Sequence, residues 1–474
     1  MTAVPFLLSS SALSNFAPIR TTNVHVEANP ASQAAPVALV ARPGLSTFAS
    51  VGTAPTRALW QKQGLFENAA LIVASGEVIS LSASAVQNTY SGTSIAGDDL
   101  VEIDGQLDAD YNSEAYIANG SAFYKAVYNP LTATRSVVQI TFPDAFNAGA
   151  TSVGCLSGYV LATQAGSDAV YYQIPAASTF TALQFASAEY APDANVCIRV
   201  VGDIAWLMGE TTLEGWRATG SSSSPLEPVG GLKFDVGCKT KAAAVNCRGT
   251  LVFVDSDGSV RMTSGGAPET ISEKGLAEQI GNTAVGDIRA SFYIKDQRPI
   301  YRLTLAANGS WDYDLTAGKW TQANSYGYDY ARAHLFANIG DMVLAADSAS
   351  NAIWTVDPDS RLDVAETFTV EFHALLEVKE GRQPIGNLEL DCLLGDAPHT
   401  GQGSAPLISL QVSKDGGYTF GPIQYRSLGV TGSRLTAPRW NALGDAVAPF
   451  GALFKFQVSD PVGRRFSGAR INVE

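Results

Sequence analysis

The clearest chemical pattern in this chain is the segment SKDGGYTF (413–420), which fits Ser-x-Asp-x-Gly-x-Thr-aromatic, the Asp box. The short Ser and Asp side chains can hydrogen-bond the backbone of a turn, and Gly permits a left-handed bend. The pattern therefore predicts a hairpin turn and says almost nothing about catalysis. Its defining positions are Ser413, Asp415, Gly417, Thr419 and Phe420.

An enzymatic alternative follows from the same segment, because Asp boxes occur in sialidases. A sialidase needs a group of arginines that binds the substrate carboxylate, a tyrosine nucleophile and an acid. The chain has 17 tyrosines, but it contains a single Asp box. We keep a sialidase-like glycan hydrolase, or a glycan-binding β-propeller, as the alternative to the function inferred below.

One acidic stretch, DDLVEIDGQLDADYNSE (98–114), invites a calcium interpretation. Asp108, Asp110 and Asn112 match the first three ligand positions of an EF-hand loop. Position six is Ser113 instead of Gly, and position twelve is Asn119 instead of Glu. The loop lacks its sharp turn and its bidentate ligand, so we interpret it as a solvated acidic loop.

The remaining metal-binding and nucleophilic residue types form no motif either. The segment GCKTK (237–241) departs from a phosphate-binding loop at Cys238, and no two histidines have metal-ligand spacing. The cysteines are odd in number and lack a CxxC pair, so we interpret them as reduced core thiols, which favours a reducing cytoplasm as the place of synthesis. We predict no catalytic residue, no metal site and no cofactor. The histidines are His25, His334, His373 and His399, and the cysteines are Cys155, Cys197, Cys238, Cys247 and Cys392.

A strand–turn–strand unit recurs along the chain and sets its architecture. Successive turn tips are 44, 47, 48 and 43 residues apart, and a period of about 40–50 residues built from strands is typical of propeller blades. Less regular hairpins at 58–84 and 114–129 precede these repeats, so we predict six or seven blades. Asn119-Gly120 at the tip of the second hairpin predicts a two-residue turn. One short helix is expected within 269–282. The five regular tips fall near Gly158, Gly202, Gly249, Gln297 and Gly340.

Longer alternating strands follow residue 363 and predict a second unit. We assign residues 1–363 to a β-propeller with an irregular N-terminal segment, and residues 364–474 to an antiparallel β-sandwich. The basic residues Arg464, Arg465 and Arg470 lie in the last strands. They predict either contact with an acidic partner or an exposed edge strand protected by charge.

Charge is distributed unevenly along the 474 residues. The net charge is −14, whereas residues 365–474 hold 10 basic and 11 acidic groups, so the first 364 residues carry −13. Such an acidic surface argues against sequence-specific binding of nucleic acid. No stretch reaches ~18 consecutive apolar residues, so no membrane span is expected.

Several segments resemble, in order, those of the packaged-DNA stabilisation proteins, or tail hubs, of short-tailed bacteriophages. The N-terminal match is weaker, and Thr211 and Leu213 depart from the family pattern. The resembling segments are NVHVEANPASQAAPVALVARPGL (23–45), FASAEYAPD (185–193), WLMGETTLEGW (206–216), VGC (236–238), WDYDLTAGKW (311–320), SKDGGYTF (413–420), RSLG (426–429) and SDPVGRRFSGARINVE (459–474).

This resemblance implies a structural component of the virion tail. Such hubs form a homo-oligomeric ring, taken here as six-fold, below the portal and its adaptor protein. They help to retain packaged DNA and carry tailspikes or fibres and a plugging needle. We add the hypothesis that acidic groups of the propeller line the DNA channel and repel phosphates over about 8 Å, so that double-stranded DNA passes without sticking.

Overall fold

A computed structural model describes residues 2–8, 17–28, 37–143, 149–175, 177, 179–187, 193–221 and 224–473. Parts of three resembling segments, 29–36, 188–192 and 474, lie outside these residues. Within them the fold is nearly all β, and the α-helix Lys274–Gly281 confirms the helix expected within 269–282. No described helix is long enough to cross a bilayer. Short 3₁₀ turns are Phe66–Asn68, Lys241–Ala243, Val285–Asp287 and Ala306–Asn308.

Seven antiparallel sheets follow one another along the chain and form the blades of a β-propeller, as predicted. Each blade is a meander in which consecutive strands pair. Blade 1 comprises Ala58–Trp60, Ala70–Ala74, Glu77–Leu81 and Gln87–Thr89. Blade 2 comprises Glu102–Leu107, Ser113–Ala118, Phe123–Asn129 and Thr134–Ile140, with Ser91–Gly92 parallel to the last. Blade 3 comprises Ala150–Leu156, Tyr159–Gln164, Ala169–Gln173 and Phe185–Ser187.

The remaining blades continue the same pattern. Blade 4 comprises Asn195–Val201, Ile204–Gly209, Leu213–Ala218 and Leu226–Phe234, and blade 5 comprises Val245–Asn246, Leu251–Val254, Val260–Thr263 and Glu269–Thr270. Blade 6 comprises Ile288–Lys295, Arg298–Leu305, Ser310–Asp314 and Lys319–Ala323. Blade 7 comprises Ala333–Ile339, Met342–Asp347, Ala352–Asp357 and the N-terminal strand Gly44–Ser50, which is followed in the sheet by Leu362–Asp363 and Glu366–Thr367.

Burial between blades, and not within them, holds the ring together. The first strand of each blade contacts the first strands of its two neighbours, and blade 7 closes on blade 1. A separate buried cluster fills each of the seven gaps between blades. Leu207 and Trp216, for example, pack from blade 4 against Leu161 of blade 3. A lone blade would leave both apolar faces in water.

The turn tips fall at equivalent positions in every blade. Each predicted tip joins the first strand to the second, as Gly158 does in blade 3 and Gly340 does in blade 7. The loops at 61–69 and 108–112 occupy this position in blades 1 and 2. The predicted two-residue turn at Asn119-Gly120 is wrong, because the loop has four residues, in which Asn119 Oδ1 accepts the N–H groups of Ser121 and Ala122.

The N-terminal strand Gly44–Ser50 completes blade 7 by pairing with Ala352–Asp357. Gly44, the first residue of this strand, lies against residues 360–362, which follow the strand Ala352–Asp357 along the chain. A Cβ atom there would be 2.3 Å from the Leu362 carbonyl oxygen and 2.8 Å from that of Ser360. The ring is therefore closed by a strand about 300 residues away from its partner in the sequence.

Replacing Gly44 by Ala is expected to loosen this closure. The new methyl group must push the strand or residues 360–362 aside, and such overpacking costs about 1–3 kcal/mol. Chemical denaturation of the variant should show that loss. Gly230→Ala is the matched control, because Gly230 also lies in an outer blade strand but has no atom near its added Cβ. Equal stability of the two variants would contradict the closing role.

The C-terminal part of the chain forms a two-sheet sandwich around an aromatic core, as predicted. Phe372 stacks on Phe456 at 5.0 Å between ring centroids and lies 4.3 Å from Phe466. One sheet comprises Phe6–Leu7, Val370–Leu376, Ala452–Val458, Leu407–Ser413 and Gln424–Ser427. The other sheet comprises Thr2–Val4, Val24–Ala28, Val37–Ala41, Arg465–Val473, Arg382–Cys392, Arg439–Asn441 and Asp445–Val447.

The N-terminal strands belong to the sandwich sheets and not to a blade. Thr2–Val4 and Val37–Ala41 both pair with Arg465–Val473, and Phe6–Leu7 pairs with Val370–Leu376. The segment expected to be irregular is thus largely strand where it is described. A division at residue 363 stays a proposal, and the hydrogen-bonded sheets place the four described strands before residue 42 with the C-terminal unit.

Candidate functional site

The Asp box forms the hairpin turn that its pattern predicts. Asp415 Oδ1 accepts hydrogen bonds from Ser413 Oγ (2.7 Å) and the Thr419 amide (2.9 Å), and its Oδ2 accepts one from Thr419 Oγ1 (2.6 Å). These bonds, led by that of the Thr419 hydroxyl, lower the pKa of Asp415 to about 2. Gly417 has a φ of 94° and donates its N–H to Ser413 Oγ. Every acceptor contact serves the turn.

Replacing Asp415 by Ala should release this turn and leave the rest of the chain unchanged. The Thr419 amide loses its acceptor, so we expect its hydrogen exchange to accelerate at least tenfold while the amides of strand Ala452–Val458 keep their protection. Exchange mass spectrometry measures both regions at once. Loss of protection throughout the sandwich would mean that the box has a wider role.

The loop that resembles an EF-hand is also occupied by internal hydrogen bonds. Asp108 Oδ1 accepts the N–H groups of Asp110 (2.9 Å) and Asn112 (2.8 Å), and its Oδ2 accepts Asn112 Nδ2 (2.7 Å). These contacts form an Asx-type turn between the first two strands of blade 2. In the part of the chain that the structure describes, no three His, Cys, Asp or Glu side chains converge on a metal position.

A central cavity of about 2010 Å³ follows the propeller axis and is lined by residues of all seven blades. Its deepest charges are paired. Arg199 and Glu102 form a two-pronged ion pair (2.9 and 2.7 Å), and Lys62 contacts Asp104 at 2.9 Å. Burial lowers the pKa of Arg199, but the Glu102 carboxylate outweighs burial and raises it overall.

The segment GCKTK ends in this cavity, where Lys241 forms hydrogen bonds between neighbouring blades. Lys241 Nζ donates to the Thr151 carbonyl (2.7 Å), and the Lys241 carbonyl accepts from Arg199 Nη2 (2.6 Å). Lys241 thus ties blade 5 to blades 3 and 4. Its ammonium group is engaged with backbone, unlike the lysine of a phosphate-binding loop.

The cavity does not carry the acidic excess of the chain. Six basic and four acidic side chains line it, so its lining is net positive. The carboxylates that make up the excess therefore lie elsewhere on the chain, and the hypothesis that acidic groups line or ring the DNA channel of the assembled tail stays a prediction. The basic residues are Arg57, Lys62, Arg199, Lys241, Arg248 and Lys295, and the acidic ones are Glu102, Asp104, Asp296 and Asp341.

A buried polar cluster connects the propeller to the sandwich, and we call it the joint. Asn23 is fully buried with a φ of 57°, a conformation that Asn tolerates better than most residues. Its Nδ2 donates to Asn324 Oδ1 (2.5 Å) and the Thr369 carbonyl (2.8 Å). One side chain thus contacts the end of blade 6 and the start of the sandwich. The joint comprises Asn23, Arg42, Asn324, Asp363 and Phe368.

Arg42 is the charged centre of the joint. Its Nη1 and Nη2 bind the two oxygens of Asp363 at 2.9 and 2.6 Å, and its Nε donates to Asn23 Oδ1 at 2.8 Å. Further bonds to the carbonyls of Pro43 and Asn324 use its remaining donors. Both charged groups are less than a tenth exposed. Such a pair is costly to break, since removing one partner strands a buried charge.

A second buried ion pair lies beside the joint in blade 6. Arg302 binds both oxygens of Asp312 at 2.6 Å. Burial alone would raise the pKa of Asp312, but the Arg302 guanidinium outweighs it and holds that pKa well below the usual range. His25 of the sandwich reaches this pair, with its Nε2 3.8 Å from Asp312 Oδ2, and burial lowers the pKa of His25.

The basic cluster near the C terminus does not lie on an edge strand, and its contact with an acidic partner stays a prediction. Strand Arg465–Val473 lies inside its sheet, between Val37–Ala41 and Arg382–Cys392, so it is not an edge strand. Arg465 binds Glu27 at 2.6 Å and Arg470 binds Glu389 at 3.0 Å, so both carboxylate partners come from this chain. Arg464 is buried at 3% exposure.

The cysteines and histidines are mostly core residues. Four of the five cysteines are buried and none forms a disulfide, and burial raises the pKa of Cys247 well above its ordinary value, which keeps it an unreactive thiol. His25, His334 and His373 are buried, whereas His399 is exposed. No predicted motif anticipated the joint, since its members lie far apart in the sequence and each is an ordinary polar residue.

Comparison with known protein families gives two adjacent matches. Residues 14–361 match the family model described as bacteriophage P22 Gp10, beta-propeller. Residues 370–474 match the model described as bacteriophage P22 Gp10, beta-sandwich. Both the kinds of fold and their order agree with the sheets described above.

Two other comparisons add no functional information. No curated protein matches the chain. Among solved structures, the computationally designed Ika8 protein aligns over 66% of this chain and 100% of its own, with 8% identity and a TM-score of 0.39. That similarity is too low to support an argument.

Proposed function

Because this chain belongs to the bacteriophage P22 Gp10 family, a family of phage tail structural proteins, we propose that it is the tail hub that docks on the portal–adaptor complex. In this role it helps to retain packaged DNA and anchors tailspikes or fibres and the plugging needle. Its place is the virion tail, after synthesis in the host cytoplasm.

The observation that carries this proposal is the joint. Residues 21–23 pair by backbone hydrogen bonds with Gln322 of blade 6 and with Glu371 of the sandwich. The same stretch of chain is therefore hydrogen-bonded to both units. The buried ion pair of Arg42 and Asp363 adds two directional hydrogen bonds at the same place. A component that holds several partners at fixed angles needs such a stiff connection between its parts.

We propose that the copies form a homo-oligomeric ring, with six as the expected number. Large apolar side chains at blade margins and on the sandwich supply contact surface, since the acidic chains repel one another. Leu131 of blade 2 is 90% exposed, Leu183 before the last strand of blade 3 is 88% exposed, and Leu435 of the sandwich is 99% exposed. In this proposal DNA passes between the copies and not along a propeller axis.

Loss of the protein in infection tests the retention role. Phage particles assembled without this chain are expected to package DNA and then lose it. Their DNase-protected DNA should therefore fall at least tenfold relative to particles that contain the protein. Restoring the chain in trans should restore protection. Stable, full particles in its absence would contradict the proposal.

We also propose that the chain has no catalytic role. Most glycosidases need two carboxyl groups that face the substrate about 5–10 Å apart, whereas a sialidase needs a tyrosine nucleophile and an acid. In the axial cavity Glu102 and Asp104 are engaged by Arg199 and Lys62, and the Asp-box carboxylate serves its turn. Fluorogenic sialosides and other glycosides should therefore be hydrolysed no faster than in buffer, and turnover at enzymatic rates would favour the hydrolase alternative.

A further inference from the structure

A recessed pocket of about 310 Å³ lies beside the joint, between blade 6 and the sandwich. It is rich in positive charge although the chain as a whole is acidic. Six basic side chains line it against two acidic ones. The basic residues are Arg42, Lys295, Arg298, Arg361, Arg464 and Arg465, and the acidic ones are Glu27 and Asp296.

Three of these six cations, Lys295, Arg361 and Arg464, form no ion pair with a described carboxylate. Arg42 is neutralised by Asp363, and Glu27 is shared by Arg298 (2.9 Å) and Arg465 (2.6 Å). Lys295 contacts the Asp341 carbonyl at 3.4 Å. Among the described residues, no carboxylate lies within 4.0 Å of Arg361 or Arg464, so neither has an ion-pair partner, and Arg464 has only the more distant charges of Asp363 and Asp460.

Arg464 is the more unusual of the two. It is 3% exposed, its Nη1 donates to the Phe368 carbonyl (2.7 Å) and its Nη2 donates to the Arg361 carbonyl (3.1 Å). Its Nε is buried and has no partner. Burial, together with the charges of Arg42 and Arg361, lowers the pKa of Arg464 to about 9. A buried guanidinium with a free donor is unfavourable unless an anion accompanies it.

We propose that this pocket binds one compact oxyanion of the carboxylate or phosphate class, held by Arg464 and Arg361. A guanidinium presents parallel N–H donors that match the oxygens of either group. The pocket has room for one such group and offers it a charge that the chain leaves unpaired. The inference rests on this pocket alone and holds whether or not the chain is a tail hub.

Thermal unfolding of the full chain tests the site, with inorganic phosphate and succinate titrated separately at constant ionic strength. We expect at least one anion to raise the Tm saturably, by roughly 2–5 °C at a large excess over its Kd, because it binds only the folded state. A response to phosphate identifies a tetrahedral oxyanion, and a response to succinate identifies a carboxylate. Either result supports the proposal.

Variants separate the pocket from general salt effects. Arg361→Gln removes a cation at the pocket wall without touching the backbone carbonyl that Arg464 uses, and it should weaken the apparent affinity at least tenfold. Arg217→Gln is the control, because Arg217 lies on blade 4 away from the pocket and is exposed. Isothermal titration should report one site per chain. No saturable response to either anion, or equal affinity in Arg361→Gln and the unmodified chain, would overturn the proposal.

Discussion

Replacing Asp363 by Ala is expected to lower the free energy of unfolding by about 3–5 kcal/mol, because it leaves the buried Arg42 guanidinium without its carboxylate. Arg42 cannot turn towards water, since its other donors are held by Asn23, Pro43 and Asn324. Denaturation monitored by circular dichroism would measure the loss. Small-angle scattering should also show a wider spread of dimensions if the joint fixes the angle between propeller and sandwich.

An exposed ion pair supplies the control for this effect. Arg217 and Glu227 contact each other at 2.5 Å on blade 4, with side chains 59% and 41% exposed. Glu227→Ala should change stability by less than about 1 kcal/mol, because solvent screens the lost charge. Similar losses for Asp363→Ala and Glu227→Ala would show that the joint has no special mechanical importance.

Acidification from pH 7 to 5 is expected to destabilise both units through their buried histidines. Burial is the main cause that lowers the pKa of His334, in blade 7, and of His373, in the sandwich, to about 4. The unfolded chain binds these protons near pH 6.5, so stability is full above that value and is lost as the pH falls towards 4. At pH 5 each histidine should cost about 2 kcal/mol.

Substitution by glutamine tests this pH dependence site by site. His334→Gln and His373→Gln should each flatten the stability–pH curve between pH 7 and 5 by about 2 kcal/mol, even if the variant is less stable at pH 7. His399→Gln is the matched control at an exposed position. An unaltered slope in the first two variants would mean that other groups control the acid response.

The blades were readable from the sequence because their information is local. Each tip lies between two strands that pair with each other, so Gly158, Gly202 and Gly340 mark equivalent turns without any knowledge of distant contacts. The hairpin predicted at 58–84 turns near Asn68, within the equivalent loop 61–69. The loop at 108–112 was not assigned as a blade tip, because it lacks glycine. Asp415 was correctly interpreted as a turn residue for the same local reason.

The joint and the ring closure could not be predicted in this way. Strand Gly44–Ser50 pairs with Ala352–Asp357, and Arg42 binds Asp363, across about 300 residues in each case. No period or motif encodes such a pairing. Arg464 illustrates the same limit, since a basic residue near a chain end is typically exposed, whereas here the N-terminal strands cover it.

The central claim is that this chain is a rigid connector that assembles on the phage portal. The most direct test is electron microscopy of the purified protein mixed with portal–adaptor complexes of the same phage. We expect closed rings of this chain at the adaptor end, with six copies and one relative orientation of propeller and sandwich. Isolated monomers that leave the adaptor bare, at concentrations where the adaptor itself is fully bound to the portal, would contradict the account.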